Sequence, residues 1–360
     1  MNKEPQTSRS SARAEEKPII KLGLDVHARQ ITVCRQVEGK APEAAQRLSV
    51  EGVLGWVRRM IESGAEVWCC YEAGPCGYVL HRQLTALGAH NLVVAPQRWD
   101  ERGQQVKTDR RDARELVDRL DRYLRGNLKV FSVVRVPTPE QEQRRSLVRQ
   151  RATVLKERQR CELRGGGLML SQGVHARPGW WRPKLWEQTL AQLPEWLRES
   201  VGYWRAQAVR FEAEVEVLAQ KVQRLSAGQA VPKGLGALTW AILQSEVLDW
   251  HRFTNRRQVG GYTGMCPREH SSGDSRQQGS INRHGNPRVR HQLVEAVWRL
   301  EQWQPDYAPL QKLRAAKGSR ARRRAVVAIA RRLAIDLWRL ATGQTTAEKL
   351  RLQLMPAPVE

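Results

Sequence analysis

Ile20, Leu22, Leu24 and Val26 fall on one face of an extended run, with Lys21, Gly23 and Asp25 on the other. That alternation predicts a strand. A second β-rich run at 30–37 and a third at 46–50 follow. At 51–63 the period changes, because Val53, Leu54, Val57, Met60 and Ile61 are spaced as on one face of a helix. A strand at 66–71, a helix at 77–87 and a strand at 91–95 complete the series, closed by Pro96. Three strands followed by alternating helices and strands predict an α/β layer with a partly parallel sheet. Ligands of such sheets gather at the carboxyl ends of the strands, near which Asp25 and Glu72 lie.

Beyond Pro137 and Pro139 the period is helical. Val201, Trp204, Ala208, Phe211, Val215, Leu218, Val222 and Leu225 alternate steps of three and four, a coiled-coil seam. The stretch 140–164 carries a weaker apolar stripe and many arginines, and Gly165-Gly166-Gly167 and residues 178–183 are expected to break the chain. An antiparallel helical hairpin or a dimerising stalk fits this order. Five tryptophans cluster here (Trp180, Trp181, Trp186, Trp196, Trp204); packing along the helices is favoured over stacking on unpaired bases. From 231, a turn with Gly234 and Gly236 feeds an apolar helix at 237–247. The turn is open to two readings, a plain helix start or a phosphate-holding helix-hairpin-helix element. Residues 260–293 look loop-like, rich in Gly, Ser, Arg and His, up to a final helix; a long irregular segment of this kind is commonly functional. The expected divisions are an arm at 1–17, an α/β domain at 18–135, a helical middle at 136–230, a mainly α domain at 231–345 and a tail at 346–360.

Charge narrows the partners. Lys plus Arg number 61 against 37 Asp plus Glu, a net charge of +24, which favours a polyanion held with salt-dependent affinity. No apolar stretch approaches the roughly 20 residues of a spanning helix, so a membrane is not expected. The six cysteines form no CxxC pair, which removes a zinc site or disulfide framework, and the absence of a signal-peptide pattern points to the cytoplasm.

Against that basic background stand four carboxylates: Asp25 in KLGLDVH, Glu72 in VWCCYEAGP, and Asp109 and Asp112 in VKTDRRDARE, three apart and so on one helix face. Each alone reads equally well as a capped or solvated acid, the last two paired with Arg110, Arg111 and Arg114. Together they suggest divalent cations and phosphodiester chemistry, since an Asp inside KLGLDVH is costly unless something neutralises it. Ser271 and Ser272 precede Gly273, where a hydroxyl can be displayed; on the residues alone they are turn residues. Candidate nucleic-acid contacts are Lys107, Arg110, Arg111, Lys233, Arg283, Arg288 and Arg290, with Arg322, Arg323 and Arg324 on a basic helix at 314–332.

LGLDVH, YEAGPCGY and VKTDRRDA, followed by a coiled coil and by the block from YTGMCPREHSSG through RHGNPRVRHQL, resemble in this order the DEDD-type insertion-sequence transposases related to the Piv DNA invertase, also described as bridge-RNA-guided recombinases. The resemblance spans about residues 20–340. It implies an RNase H/RuvC-like N-terminal domain in which Asp25, Glu72, Asp109 and Asp112 bind Mg²⁺, with Mn²⁺ as an alternative. It also implies a C-terminal transposase domain with a serine nucleophile at Ser272, or at Ser271, giving a phosphoserine–DNA intermediate. The implied partners are DNA, a noncoding guide RNA and further copies of the chain, as a dimer or tetramer, in a prokaryotic cytoplasm at the nucleoid. Met265 and the Asn282-Arg283-His284-Gly285 turn depart from the family pattern without removing a catalytic group. Two other functions remain open: a RuvC-like endonuclease that uses water on branched DNA, and a non-catalytic nucleic-acid-binding protein.

Overall fold

The computed structural model describes residues 17–96, 108–272 and 275–356, and for 270–272 and 275–278 the backbone path alone. The expected arm at 1–17, save its last residue, and Lys107 lie outside the described residues. The chain divides into two units, 1–136 and 137–360.

In the first unit the predicted alternation produces β1 (Ile19–Val26), β2 (Ile31–Val37) and β3 (Gln46–Leu48), then α1 (Val50–Glu62), β4 (Glu66–Glu72), α2 (Val79–Ala86), β5 (His90–Val94) and α3 (Asp109–Leu124). The sheet order is β3-β2-β1-β4-β5. β1 pairs antiparallel with β2 and parallel with β4, and β4 is parallel to β5. One face, with Leu22, Leu24, Val33, Val67 and Tyr71, is buried with Val53, Val57 and Leu84 of α1 and α2. The Ser49 hydroxyl fixes where α1 begins by accepting from Gly52 N at 3.0 Å.

The other face is covered by α3, and its approach is close. A Cβ on Gly23 would stand 2.2 Å from Ala113 O and 2.5 Å from Val117 N, so only glycine lets the helix lie across β1. Farther along the same helix, buried Lys21 pairs with buried Asp121 and also donates to Glu38 O at 2.8 Å. Arg125 completes Asp121 at 2.9 Å. Van der Waals contact at one end and an ion pair at the other thus fix α3 on the sheet.

The second unit opens with α4 (Pro139–Leu170), started by a capping box in which Thr138 and Gln141 satisfy each other's backbone amides at 3.2 and 3.1 Å. The helix runs straight through Gly165-Gly166-Gly167, where a break was expected. The reason is Trp180: a Cβ on Gly165 would meet its ring at 2.3 Å, and its indole N–H donates to Glu162 O at 3.1 Å. Gly165 makes room for the aromatic ring, and the buried rings of Trp180 and Trp181 are packing groups. After α5 (Pro183–Ala191) comes α6 (Glu195–Arg224), antiparallel to α4. The heptad residues Val201, Ala208, Val215, Leu218 and Val222 are buried, and Arg158 of α4 reaches Glu212 of α6 at 3.2 Å. The seam is therefore filled by the chain's own α4.

The stretches expected to separate at 230/231 pack into one unit, with Val148 and Val222 clustered against Ala241 and Ile242. β6 (Ala230–Pro232) leads to α7 (Ala237–Val247), α8 (Arg256–Thr263), β7 (Pro267–Ser272), β8 (Ser275–Ile281), α9 (Pro287–Trp303), α10 (Gln311–Arg314), α11 (Ser319–Ala341), α12 (Ala347–Leu350) and β9 (Leu354–Pro356). β9 pairs antiparallel with β6, so the expected tail is built into the unit. The side chain of Gln304 locks it there by bonding Lys233 O and Gln353 O, each at 2.9 Å, and Gln353 N at 2.8 Å. No helix among the described residues is long and apolar enough to cross a membrane.

Replacing Gly23 by alanine is expected to force β1 and α3 apart and to lower the stability of the first unit by about 2 kcal/mol, the scale of an overpacked core. Thermal unfolding of Gly23→Ala would read this directly; an unchanged melting temperature would show that the approach is not a constraint.

Candidate active site

Asp25 and Glu72 come together because β1 and β4 are parallel. Leu24 is the register partner of Tyr71, so the next residues of the two strands are neighbours one strand spacing, about 4.8 Å, apart. Each lies at the carboxyl end of its strand, on the α3 side of the sheet. The Gly23 contact sets the first turn of α3 beside that edge, and Asp109 and Asp112 occupy this turn. Their charges reach Asp25. Burial raises the Asp25 carboxyl above the usual carboxylate range, His27 opposes the rise, and Asp112 and Asp109 add to it. Oxygen donors so placed suit a hard divalent cation.

Two neighbours carry no mark of their own in the sequence pattern. His27 Nε2 lies 3.1 Å from Asp25 Oδ2 and 3.8 Å from Asp109 Oδ1. One donor atom each from Asp25, His27 and Asp109 lies within 4.8 Å of the other two, the spacing of a metal-ligand group. Arg47 of β3 reaches Asp109 Oδ2 at 3.3 Å. One signal for His27 does exist: it stands two residues beyond Asp25, on the same side of an extended chain.

In the second unit, Ser271 and Ser272 lie on a β-hairpin, where a loop was expected. β7 and β8 pair antiparallel, with Ser271 opposite Arg276 and Ser272 opposite Ser275, at the end joined through Gly273-Asp274. Gly-Asp is a dipeptide that joins hairpin strands, but PREHSS and SRQQGSI lack the apolar alternation that marks a strand. At the base of the hairpin the chain is zipped shut. Asn282 N donates to Cys266 O at 2.8 Å, Arg283 N to Gly264 O at 3.1 Å, and Asn286 N to Tyr262 O at 2.7 Å. A Cβ on Gly285 would stand 2.2 Å from Gly264 N.

This base hangs on Glu246, a fully buried carboxylate in the apolar helix α7. Arg149 grips it at 3.1 and 3.2 Å. Asn286 Nδ2 donates to it at 3.0 Å, while Asn286 Oδ1 caps α9 by accepting from Arg288 N and Val289 N. Burial pushes the Glu246 carboxyl up, but the bonds from Arg149 and Asn286 and the charges of Arg149 and Arg145 outweigh it and leave the group below the ordinary glutamate value.

The nominated cations divide. Arg290 donates to Thr263 O at 2.9 Å, and Arg288 lies 3.8 Å from Glu246, so both serve the hairpin base. Lys233 sits over the Trp303 ring, and Arg322 turns to Trp298 and to Glu301 at 3.5 Å, away from its neighbours. Arg110, Arg111 and Arg283 are exposed. Arg323 and Arg324 line a cavity of about 1410 Å³.

The block from the Gly234 turn to α10, residues 232–312, matches the family described as "Transposase IS116/IS110/IS902 family". A Sinorhizobium fredii protein named "Putative transposase y4rJ" is 32% identical over 316 residues, covering 77% of this chain and 77% of its own length. The transposase for insertion sequence element IS1111A of Coxiella burnetii is 26% identical over 299 residues, covering 77% and 79%. The transposase for insertion sequence element IS1533 of Leptospira borgpetersenii is 23% identical over 296 residues, covering 77% and 84%. The protein is thus a DNA transposase of an insertion sequence, an enzyme. Within that class the chain belongs to the IS116/IS110/IS902 family.

Because the folded pKa of Glu246 lies below its unfolded one, the stability it adds is present above the ordinary glutamate value of about 4.3 and is lost as pH falls through the folded value. Glu246→Gln is expected to cost about 3 kcal/mol at neutral pH and to flatten the acid limb of the stability curve. A variant that melts in parallel with the wild type from pH 7 to pH 3 would contradict this role.

Proposed function

We propose that the first unit is an RNase H/RuvC-like catalytic domain in which Asp25, Glu72, Asp109 and Asp112 hold Mg²⁺, or Mn²⁺, and that a serine of the β7–β8 hairpin is the nucleophile of DNA strand exchange. The observation that carries this reading is the convergence of the four acids: two at the ends of adjacent parallel strands, two on the helix turn that Gly23 admits beside them. The donor set fits a hard cation, since donor atoms of Asp25, His27 and Asp109 lie within 4.8 Å of one another and two of them are carboxylate oxygens. When bound, the cation supplies polarisation of the scissile phosphate and stabilises charge on the departing oxygen.

The chain's own residues supply the rest. Ser272 is the proposed nucleophile, with Ser271 as the alternative; its Oγ gives up a proton and bonds the scissile phosphorus. The bond from phosphorus to the 3′ oxygen breaks, and that oxygen leaves as a free 3′-OH after taking up a proton. The phosphoserine ester conserves one phosphodiester bond, so a 3′-OH of a second strand reverses the step on a new partner without a nucleotide cofactor. His27 and Arg47 orient Asp25 and Asp109, which keeps the acidic edge formed before substrate arrives.

DNA is the substrate, and we place a structured guide RNA beside it, with support from the charge of +24. The active assembly in this reading is a homo-oligomer, dimer or tetramer. With the heptad seam filled by α4, the face of α6 open to another copy carries Trp196, Tyr203 and Val217, exposed by 68%, 57% and 51%.

A recombination assay on element ends separates the roles. Ser272→Ala is expected to abolish strand exchange and covalent capture of DNA, with Ser271→Ala well above it. Asp25→Asn is expected to lower exchange by at least about 100-fold, the scale of a lost electrostatic contribution. Undiminished DNA cleavage in both serine variants, with loss of cleavage in Asp25→Asn, would mark a water-using nuclease site instead.

A further inference from the structure

The cavity of about 1410 Å³ in the second unit has a composition of one sign. Of its sixteen lining residues, eight are Arg or Lys and none is Asp or Glu. Arg256 and Arg257 come from the first turn of α8, and Arg320, Arg323, Arg324 and Arg331 from α11. Elsewhere the arginines of this chain are commonly paired: Arg35 with Glu43, Arg149 with Glu246, Arg158 with Glu212. Here Arg332 alone has a carboxylate, Asp336 at 2.9 Å. Among the described residues no ion pair engages the other seven. Arg331 lies across Gly260, where a Cβ would stand 3.0 Å from its Nε, and that Nε is buried without a hydrogen-bond acceptor among the described residues. A concave wall of like charges repels itself until a polyanion enters, and it focuses the field that attracts one.

The lining also says what kind of polyanion. It contains no Trp, Tyr or Phe, so it offers no platform for stacking unpaired bases. Its apolar floor, Met265, Val327 and Ile335, suits sugar and aliphatic surface between phosphates. The base of the serine hairpin closes one side through Pro267 of β7 and Gly279 to Ile281 of β8. Ser272 lies five residues along β7 from Pro267, about 17 Å at the rise of a strand. At 3.4 Å per nucleotide of a duplex strand, that is roughly five steps.

We infer that this groove seats the sugar–phosphate backbone of the DNA strand engaged by the hairpin, independent of sequence, about five nucleotides from the phosphate that the serine attacks. The placement rests on the serine reading; the groove itself does not.

The test uses the full chain and duplex DNA carrying an element end, with affinity measured across a range of KCl concentrations. Paired variants Arg256→Gln with Arg257→Gln, and Arg323→Gln with Arg324→Gln, should each weaken binding at least tenfold. Each pair should also reduce the slope of log affinity against log salt by about 1 for every phosphate no longer neutralised. Lysine at the same positions should restore most of the slope, and melting curves report that the variants fold. The charge-matched pair Arg58→Gln with Arg59→Gln on α1 should leave the slope unchanged. Wild-type slopes in both groove pairs overturn the inference, as does a fall seen with single-stranded RNA and absent with duplex DNA. Ethylation of phosphates should interfere most strongly about five nucleotides from the cleaved bond. Interference confined to a region beyond about ten nucleotides overturns the placement. If the groove pairs lose DNA binding while Ser272→Ala and Ser271→Ala still recombine, the serine reading falls and the backbone groove stands.

Discussion

The approach of α3 to β1 at Gly23 is the constraint on which the acidic edge depends. A methyl group there would meet the backbone of Ala113 and Val117, so the helix lies against the sheet because that position has no side chain. The buried Lys21–Asp121 pair fixes the other end of the same contact. Two charges taken out of water return little net stability, but they specify one seating of the helix over others. With α3 so held, Asp109 and Asp112 stand in its first turn beside the end of β1. The parallel register of β1 and β4 delivers Glu72 to the same edge. Burial raises the Asp25 carboxyl above the usual carboxylate range, His27 opposes the rise, and the charges of Asp112 and Asp109 add a smaller part.

The second unit solves a related problem with polar groups. A hairpin of polar sequence has little apolar surface with which to anchor itself, and its base is held by main-chain bonds between residues 262–266 and 282–286. Those bonds depend on Asn286, whose amide satisfies α9 with its oxygen and Glu246 with its nitrogen. Glu246 in turn ties α7 to Arg149 on the long helix α4. One buried carboxylate therefore connects the helical hairpin, the transposase block and the strand that carries the serines. Like Asp121, which meets Lys21 on one oxygen and Arg125 on the other, it is engaged on both oxygens, which offsets its desolvation.

Legibility in the sequence follows the same division. Strand β1 lies where alternation of apolar and polar residues places it, with Lys21, Gly23 and Asp25 on the face that α3 covers. The acids stand out since each interrupts a pattern: Asp25 an apolar strand, Asp109 and Asp112 a run of arginines. His27 obeys the same period without interrupting anything, so it does not stand out. The triple glycine reads as a break because glycine usually weakens helices; only Trp180, fifteen residues away in sequence, makes Gly165 a helix residue. The serine hairpin reads as a loop because its strands carry no apolar face. Glu246 leaves one trace, a single acid in ALTWAILQSEV, whose meaning depends on Arg149 and Asn286, 97 and 40 residues away. Contacts distant in sequence and made by polar atoms leave no periodic mark, and they are the ones that build this site.

The most direct measurement is binding of Mn²⁺ to the full chain, followed by electron paramagnetic resonance during titration and repeated on Asp25→Asn and Asp109→Asn. Saturable binding by the wild type, lost or weakened at least tenfold in both variants with folding intact, is the result expected if the acids of β1 and α3 form one metal site. Binding that is absent in the wild type, or that survives both substitutions unchanged, would contradict it.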